Sequence, residues 1–511
     1  MVENPGVVGK LAAAAIAIVS VGAVTTAPAH SSLAPASGTT GPNGVSACTP
    51  RPPHFRTRPD LKPVGFCVTK RATQATSHGL LLVTPRSNPA AGDPQFGIMI
   101  FDNKGRLRWY SRRPHVARDL KVVTYQGRRL LAFYQYWPSG TGPVGDNYYA
   151  LYDNHYRLVK RITGGDGFRV NTHELQVTPE GTAYLASYPY VTDPTTGSKV
   201  RDYVIREVNI ATGEVLFQWS ALDHVPLSDS YAPQPNEGYW DYFHGNSIDV
   251  SALPTIVVSA RNTSAVYGID RQTGDLQWVL GGKSDQFGMV ANHPDWQFCA
   301  QHDARRLPDG QLSIFDDGGT GIPGSTCPIH PSRTLIFDLD ESTKTVDLAR
   351  TLWSQQSSET GAAYQPWAMG SARRQPNGNM LMSWGTTGRY TEVGPDGVVN
   401  FGFRTQRYSY RAVRAPWVGV PLTRPAVLAE SPRRGITDVW VSWNGSTRVQ
   451  SWRVLAGPRP GALRPVGRRT GFAGFETHIR VKLGARYVVV RAYAADGSIL
   501  NQSRPSRVKA G

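Results

Sequence analysis

Three stretches, His173–Leu185 (HELQVTPEGTAYL), His244–Val258 (HGNSIDVSALPTIVV) and His302–Ile314 (HDARRLPDGQLSI), decide how this chain is read. Each opens on a histidine and runs through a short apolar segment into a turn. In the first and third a glycine stands eight residues after the histidine, Gly181 and Gly310, inside a Pro-acid-Gly turn of the kind that joins antiparallel strands. The middle stretch turns at Ser251-Ala252-Leu253-Pro254 instead. Histidines 71 and 58 residues apart meet only in a fold that brings the first strand of each repeat to a common centre, as a radial repeat does.

Working outward, the same opening pattern recurs at His78 (HGLLLVTP), Asp119 (DLKVVTYQG) and Gly370 (GSARRQPNG), with Gly127 and Gly378 again eight residues on. A second mark follows in each repeat: an apolar strand, an Asp/Gly turn and a strand often ending in an aromatic. Examples are IFDNKGRLRWY through Trp109, VNIATGEVLFQW through Trp219 and GIDRQTGDLQWVL through Trp278. Six repeats of about four strands across residues 78–416 predict an all-β, six-bladed β-propeller whose first strands line a central channel. The tryptophans that close the hairpins are read as packing residues.

After Trp417 the pattern changes to alternating apolar and polar residues with no cluster of reactive side chains. Residues 417–511 are expected to form a fibronectin type III-like β-sandwich, with Trp443 as core tryptophan and Tyr487 as strand tyrosine, in an accessory role. Ahead of the repeats, Lys10, the apolar run Leu11–Val24 and Ala27-Pro28-Ala29 read as a signal peptide over residues 1–29. That run falls short of the roughly 20 residues needed to span a bilayer, so the mature chain is expected to be secreted, without an integral membrane segment. Residues 30–77 are rich in Pro, Ser, Thr and Arg and read as an extended leader tied down by a disulfide.

Four cysteines allow three connectivities. The local pairing Cys48–Cys67 and Cys299–Cys327 is the economical one for an oxidising compartment, and no cysteine spacing suggests zinc. The 511 residues carry a formal charge of +17, but the basic residues are scattered. The small clusters at Arg56–Lys62 and Arg459–Arg469 lack interleaved aromatics, so nucleic acid is not an expected partner.

The candidate site gathers His173, His244 and His302 with Asn246, two residues beyond the second histidine, and Arg261, which returns toward the same channel mouth if Thr255–Ser259 is a strand. Glycosidase chemistry needs paired carboxylates, and alternation sends Glu174 and Asp303, each next to a site histidine, to the opposite sheet face. HELQV is not H-E-x-x-H, and Gly281-Gly282-Lys283-Ser284 copies only the end of a phosphate-binding loop. Nucleophilic transfer of an oxyanion group suits imidazoles beside a guanidinium. A metal held by three histidines stays equally open on composition alone. His54, His78, His115, His155, His293 and His330 are read as structural, and Asp316-Asp317 as a turn cap rather than a calcium site.

The segments NTHELQVTPEGTAYL, WDYFHGNSID, VVSARNTSAVYGIDRQTGDLQWVLGG, FCAQHDARRLPDG and SRTLIFDLDE together resemble the bacterial arylsulfate sulfotransferase family in its secreted branch, over roughly residues 55–410. The resemblance implies a six-bladed propeller. It also implies transfer of sulfuryl from a phenolic sulfate to a phenol by a ping-pong route, with no cofactor and no nucleotide sulfate donor. By the same resemblance His302 is the residue transiently sulfated. His173, His244 and Arg261 complete the catalytic group, and Asn246 binds substrate. Family members with an accessory β domain carry it at the N-terminus, whereas this chain is expected to have one at the C-terminus, so no oligomeric state follows. A metal-dependent hydrolase or lyase using the three histidines, and a non-catalytic ligand-binding propeller, are the alternative functions.

Overall fold

A computed structural model describes residues 43–86, 92, 94–138, 147–165, 167–291, 293, 295–319, 322, 327 and 329–510. The expected signal peptide lies outside them, as does the first part of the leader. Among the described residues the secondary structure is strand, turn and short 3-10 segments, an all-β chain, and no helix is long and apolar enough to cross a membrane.

Six sheets of four or five strands occupy residues 66–415. Five of them begin on an edge strand and run through their first four strands by antiparallel neighbours in chain order: Ala117–Tyr125, Leu175–Val177, Gly245–Asp249, His302–Arg306 and Ser371–Arg374 are those edges. The remaining sheet departs from the expected pattern. Its edge is Ser409–Ala415, from the far end of the chain, and Leu80–Pro85 is its second strand. The segment from His78 is therefore not an inner strand, and residues some 330 positions apart close one sheet (Leu80 pairs with Ala415).

The leader also takes a larger part than expected. Phe66–Lys70 adds a fifth strand to the sheet of Val399–Thr405, and Phe55, Leu61 and Val64 join the buried cluster of Leu81, Phe101 and Phe403. Cys48–Cys67 fastens this segment and Cys299–Cys327 holds the chain just before His302, the two pairings expected from spacing.

One structural device recurs at the edge strands. Each of four carries one extra residue against its neighbour: between Arg118 and Lys121, Gly245 and Ser247, His302 and Arg305, and Ser409 and Ala412. Asp119, His244 and Asp303 at or beside these bulges have positive φ, 55°, 53° and 56°. A bulge interrupts the two-residue alternation and re-aims the side chains on either side of it. Consecutive residues such as His302 and Asp303 can then both serve the space in front of the edge strands.

Residues 426–510 form two further sheets, built on Ala426–Arg433, Ile436–Ser442 and Glu476–Val481 and on Ser451–Gly457, Arg464–Gly471 and Tyr487–Tyr493. They enclose Val439, Trp452, Val488 and Val490. Trp443 joins this core, but Trp452 is the tryptophan fully removed from solvent. Asn444 exchanges two hydrogen bonds with the backbone of Tyr110, which fastens these sheets to the sheet of Leu107–Arg112.

Candidate active site

Side chains from four of the six edge strands, with Glu174 just ahead of a fifth, meet in one buried ionic cluster. Arg411 lies within 3.2 Å of carboxylate oxygens of Asp119, Glu174 and Asp303, and donates to the carbonyls of His173 (2.7 Å) and Asn246 (2.9 Å). Arg305 pairs with Glu174 and Asp303, Arg373 with Asp303 at 2.7 Å, and Lys121 with Asp119 and Glu174 at 2.7 Å. Glu174 and Asp303 therefore do not face away from the centre, as strand alternation had suggested. Asp303 sits on a bulge, and Glu174 precedes the first regular strand residue, Leu175. Burying three carboxylates is tolerable because four cations satisfy them.

The histidines stand at the N-terminal ends of the same strands. The His173 and His244 rings are 5.3 Å apart, with Tyr188 and Tyr410 rings 5.5 and 5.4 Å from His173. Tyr188 Oη donates to the Gly245 carbonyl at 2.5 Å and lies 3.3 Å from His173 Nδ1. His244 Nδ1 meets Asp241 Oδ2 at 2.6 Å, an i,i+3 contact, and Arg201 holds the same oxygen at 3.2 Å. Gly245 packs against the Tyr203 ring so closely that a Cβ would overlap it, which is why glycine follows the histidine here.

His302 is 2% exposed. Its Nδ1 lies 2.6 Å from Asp317 Oδ2 and 3.2 Å from the Ala300 carbonyl, two acceptors that assign the ring proton to Nδ1 and leave Nε2 with its lone pair. Burial first, then the charges of Arg261, His244 and Arg411, hold the His302 imidazole well below the usual histidine range. Burial, with His244 and Arg118 beside it, does the same to His173. Burial, against the pull of Arg261 and with Asp316 adjacent, holds the Asp317 carboxyl well above the usual carboxylate range. At neutral pH His302 is an uncharged imidazole with a fixed orientation.

Arg261 follows the strand Thr255–Ala260. Its backbone N–H donates to the His244 carbonyl at 3.0 Å, and its guanidinium donates to Asn262 Oδ1 at 2.9 Å. Asn246 is wholly buried. Its amide donates to the Gln301 carbonyl at 2.8 Å and accepts from the Asp303 N–H at 3.3 Å, bracketing His302. These two bonds clamp the strand bearing His302.

Asp317 was read as a turn cap, but it is the partner of His302. Strand register holds the signal that would have found it: His302 pairs with Phe315 across the Pro308–Gly310 turn, so the residue two further on passes back beside the imidazole. Asp241 lies three residues before His244 in sequence. Arg411 and Tyr410 could not be found in this way, because only the closure of the sheet by Ser409–Ala415 brings them in. Among the described residues no group of three His, Cys, Asp or Glu side chains is placed to hold a metal ion.

A buried His–Asp pair, two further histidines and an arginine make a set of side chains whose chemistry suits group transfer. The sequence profile of the arylsulfotransferase (ASST) family matches residues 150–406, half of the chain, and this protein belongs to that family. No curated protein matches it. Among solved structures, a protein of unknown function from Bacteroides caccae shares 13% identity over 66% of this chain and 98% of its own, with a TM-score of 0.37. The GH43 protein BlXynB from Bacillus licheniformis shares 10% over 76% and 88%, TM-score 0.31. AztD from Citrobacter koseri shares 8% over 80% and 100%, TM-score 0.28. At these scores the likenesses carry no argument.

Proposed function

We propose that this protein is a secreted aryl sulfotransferase that moves a sulfuryl group from a phenolic sulfate ester to a phenol through a sulfohistidine at His302, independently of a nucleotide sulfate donor. The observation that carries the reading is the 2.6 Å contact between His302 Nδ1 and Asp317, in a chain of the arylsulfotransferase family. Nε2 attacks sulfur, the S–O bond to the donor breaks, and the bonding pair leaves with the phenolate as the N–S bond forms. The cation that forms on the ring is offset by the Asp317 carboxylate. Arg261 stabilises the equatorial sulfuryl oxygens, and His244, held by Asp241, protonates the leaving phenolate. The acceptor phenol then loses its proton to His244 and attacks the same sulfur, which restores neutral His302. His173 lines the site beside Tyr188 and Tyr410, and Asn246 holds the strand of His302.

The same reading assigns residues 78–416, completed by the strand Phe66–Lys70, to a closed six-bladed propeller with Ser409–Ala415 as the inner strand of its first blade. It assigns 417–511 to a fibronectin type III-like accessory domain. The two disulfides support folding outside the cytoplasm after removal of residues 1–29.

The test is nitrophenol release from 4-nitrophenyl sulfate by chelator-treated protein, with and without added phenol, beside His302→Ala. Intact-mass analysis of enzyme mixed with donor alone accompanies it. Release that rises with phenol, and a one-sulfuryl mass gain located on His302, are expected. A folded enzyme that turns over without ever carrying the group would overturn the covalent route.

A further inference from the structure

The histidines occupy the N-terminal ends of the edge strands; a cavity lies toward the other side of these strands. It has a volume of about 500 Å³ and takes its walls from four edge strands, at Lys121, Leu175, Val177, Arg373, Arg374 and Arg414 among others. Its lining holds four cations and no Asp or Glu. The carboxylates that neutralise these cations, Asp119, Glu174, Asp303, Asp309 and Glu392, all stand outside the cavity lining. The remaining wall is valine, leucine and proline with a few polar groups.

The donors are not exhausted by those pairs. Arg373 has five N–H groups. Its Nη2 binds Asp303, whereas its Nε is buried without a hydrogen-bond partner among the described residues.

We infer that this cavity is a second ligand site, separate from the histidine centre, for a small organic anion with an apolar body. Its size falls in the range of small-molecule sites. The cations of the lining select negative charge, and the apolar walls favour a hydrocarbon portion over a bare inorganic ion. The inference is independent of sulfuryl transfer at His302.

Naphthalene-1-sulfonate is a suitable probe, because its C–S bond makes it an anion of this class that cannot act as a sulfuryl ester donor. Isothermal titration of the full chain is expected to show one saturable site whose affinity falls as salt rises. Thr124→Glu places an acid on an exposed residue of the cavity wall, and Arg374→Glu reverses a charge at its rim. Each is expected to weaken binding roughly tenfold or more while nitrophenol release from 4-nitrophenyl sulfate stays as in the unaltered protein. Unchanged affinity in both variants would place the probe elsewhere and overturn the site. Inorganic sulfate competing as well as the sulfonate would overturn the apolar part of the assignment, and the absence of any saturable binding would overturn it all.

Discussion

His302 Nδ1 and Asp317 Oδ2 stand 2.6 Å apart, both side chains removed from solvent, across a hairpin whose register pairs His302 with Phe315. The pair fixes the orientation of the imidazole, and the consequences of altering it are specific.

Asp317→Asn keeps the size of the side chain but can present an N–H to Nδ1. The imidazole would then carry its proton on Nε2 and lose the lone pair that attacks sulfur. Turnover of 4-nitrophenyl sulfate is expected to drop by roughly ten-thousandfold, as when the orienting carboxylate of another catalytic histidine is neutralised. The thermal midpoint should stay close to that of the unaltered protein. Equal losses in stability and activity would mean that Asp317 matters only for folding.

The depressed pKa of His302 sets a pH dependence with a definite sign. The unfolded chain binds a proton near pH 6.5, whereas the folded chain does not until well below it. Stability is therefore fully present above pH 6.5 and is lost as pH falls through the window beneath it, by up to about 1.4 kcal/mol per pH unit for this one group. Denaturant midpoints between pH 7 and pH 4.5 should decline less steeply in His302→Gln.

Arg411 touches Asp119, Glu174 and Asp303 at once. Arg411→Met would leave buried carboxylates short of a partner, at a cost of about 3–5 kcal/mol. Arg411→Lys restores charge but not the planar fork, so recovery should be partial. Thermal unfolding of the two variants side by side checks this ordering.

Removing the Cys299–Cys327 bond by a double serine substitution frees a loop spanning 28 positions, and loop-closure entropy puts the expected loss at about 3–4 kcal/mol. The lesion lies just before His302, so turnover should fall below what the lost stability alone predicts at a temperature where the variant is fully folded.

Gly245→Ala sets a Cβ against the Tyr203 ring. Overpacking of this kind costs about 1–3 kcal/mol, and because His244 is the preceding residue the variant should lose turnover as well. Activity assayed at 20 °C, where the fold persists, separates the two effects.

The all-β character, the spacing of the repeats and both disulfide pairings were legible in sequence. Turn chemistry and two-residue periodicity are local, and cysteines 19 and 28 residues apart had few economical partners. His173 and His244 could be brought together because each opens a repeat, and their rings lie 5.3 Å apart. Local pattern failed where the chain departed from regular strand geometry or reached across its whole length. The bulge at Asp303 turned inward a carboxylate that alternation sends outward. Arg411 and Tyr410 entered the centre from a strand some 330 residues beyond the one it pairs with. The fall in the His302 pKa required the burial and the neighbouring charges that only the assembled sheets supply. Sequence by itself determined which strands exist and where they turn, because those choices are made within a few residues. Tertiary structure decided which side chains share the centre and in what protonation state, because both depend on desolvation and on charges contributed by every sheet.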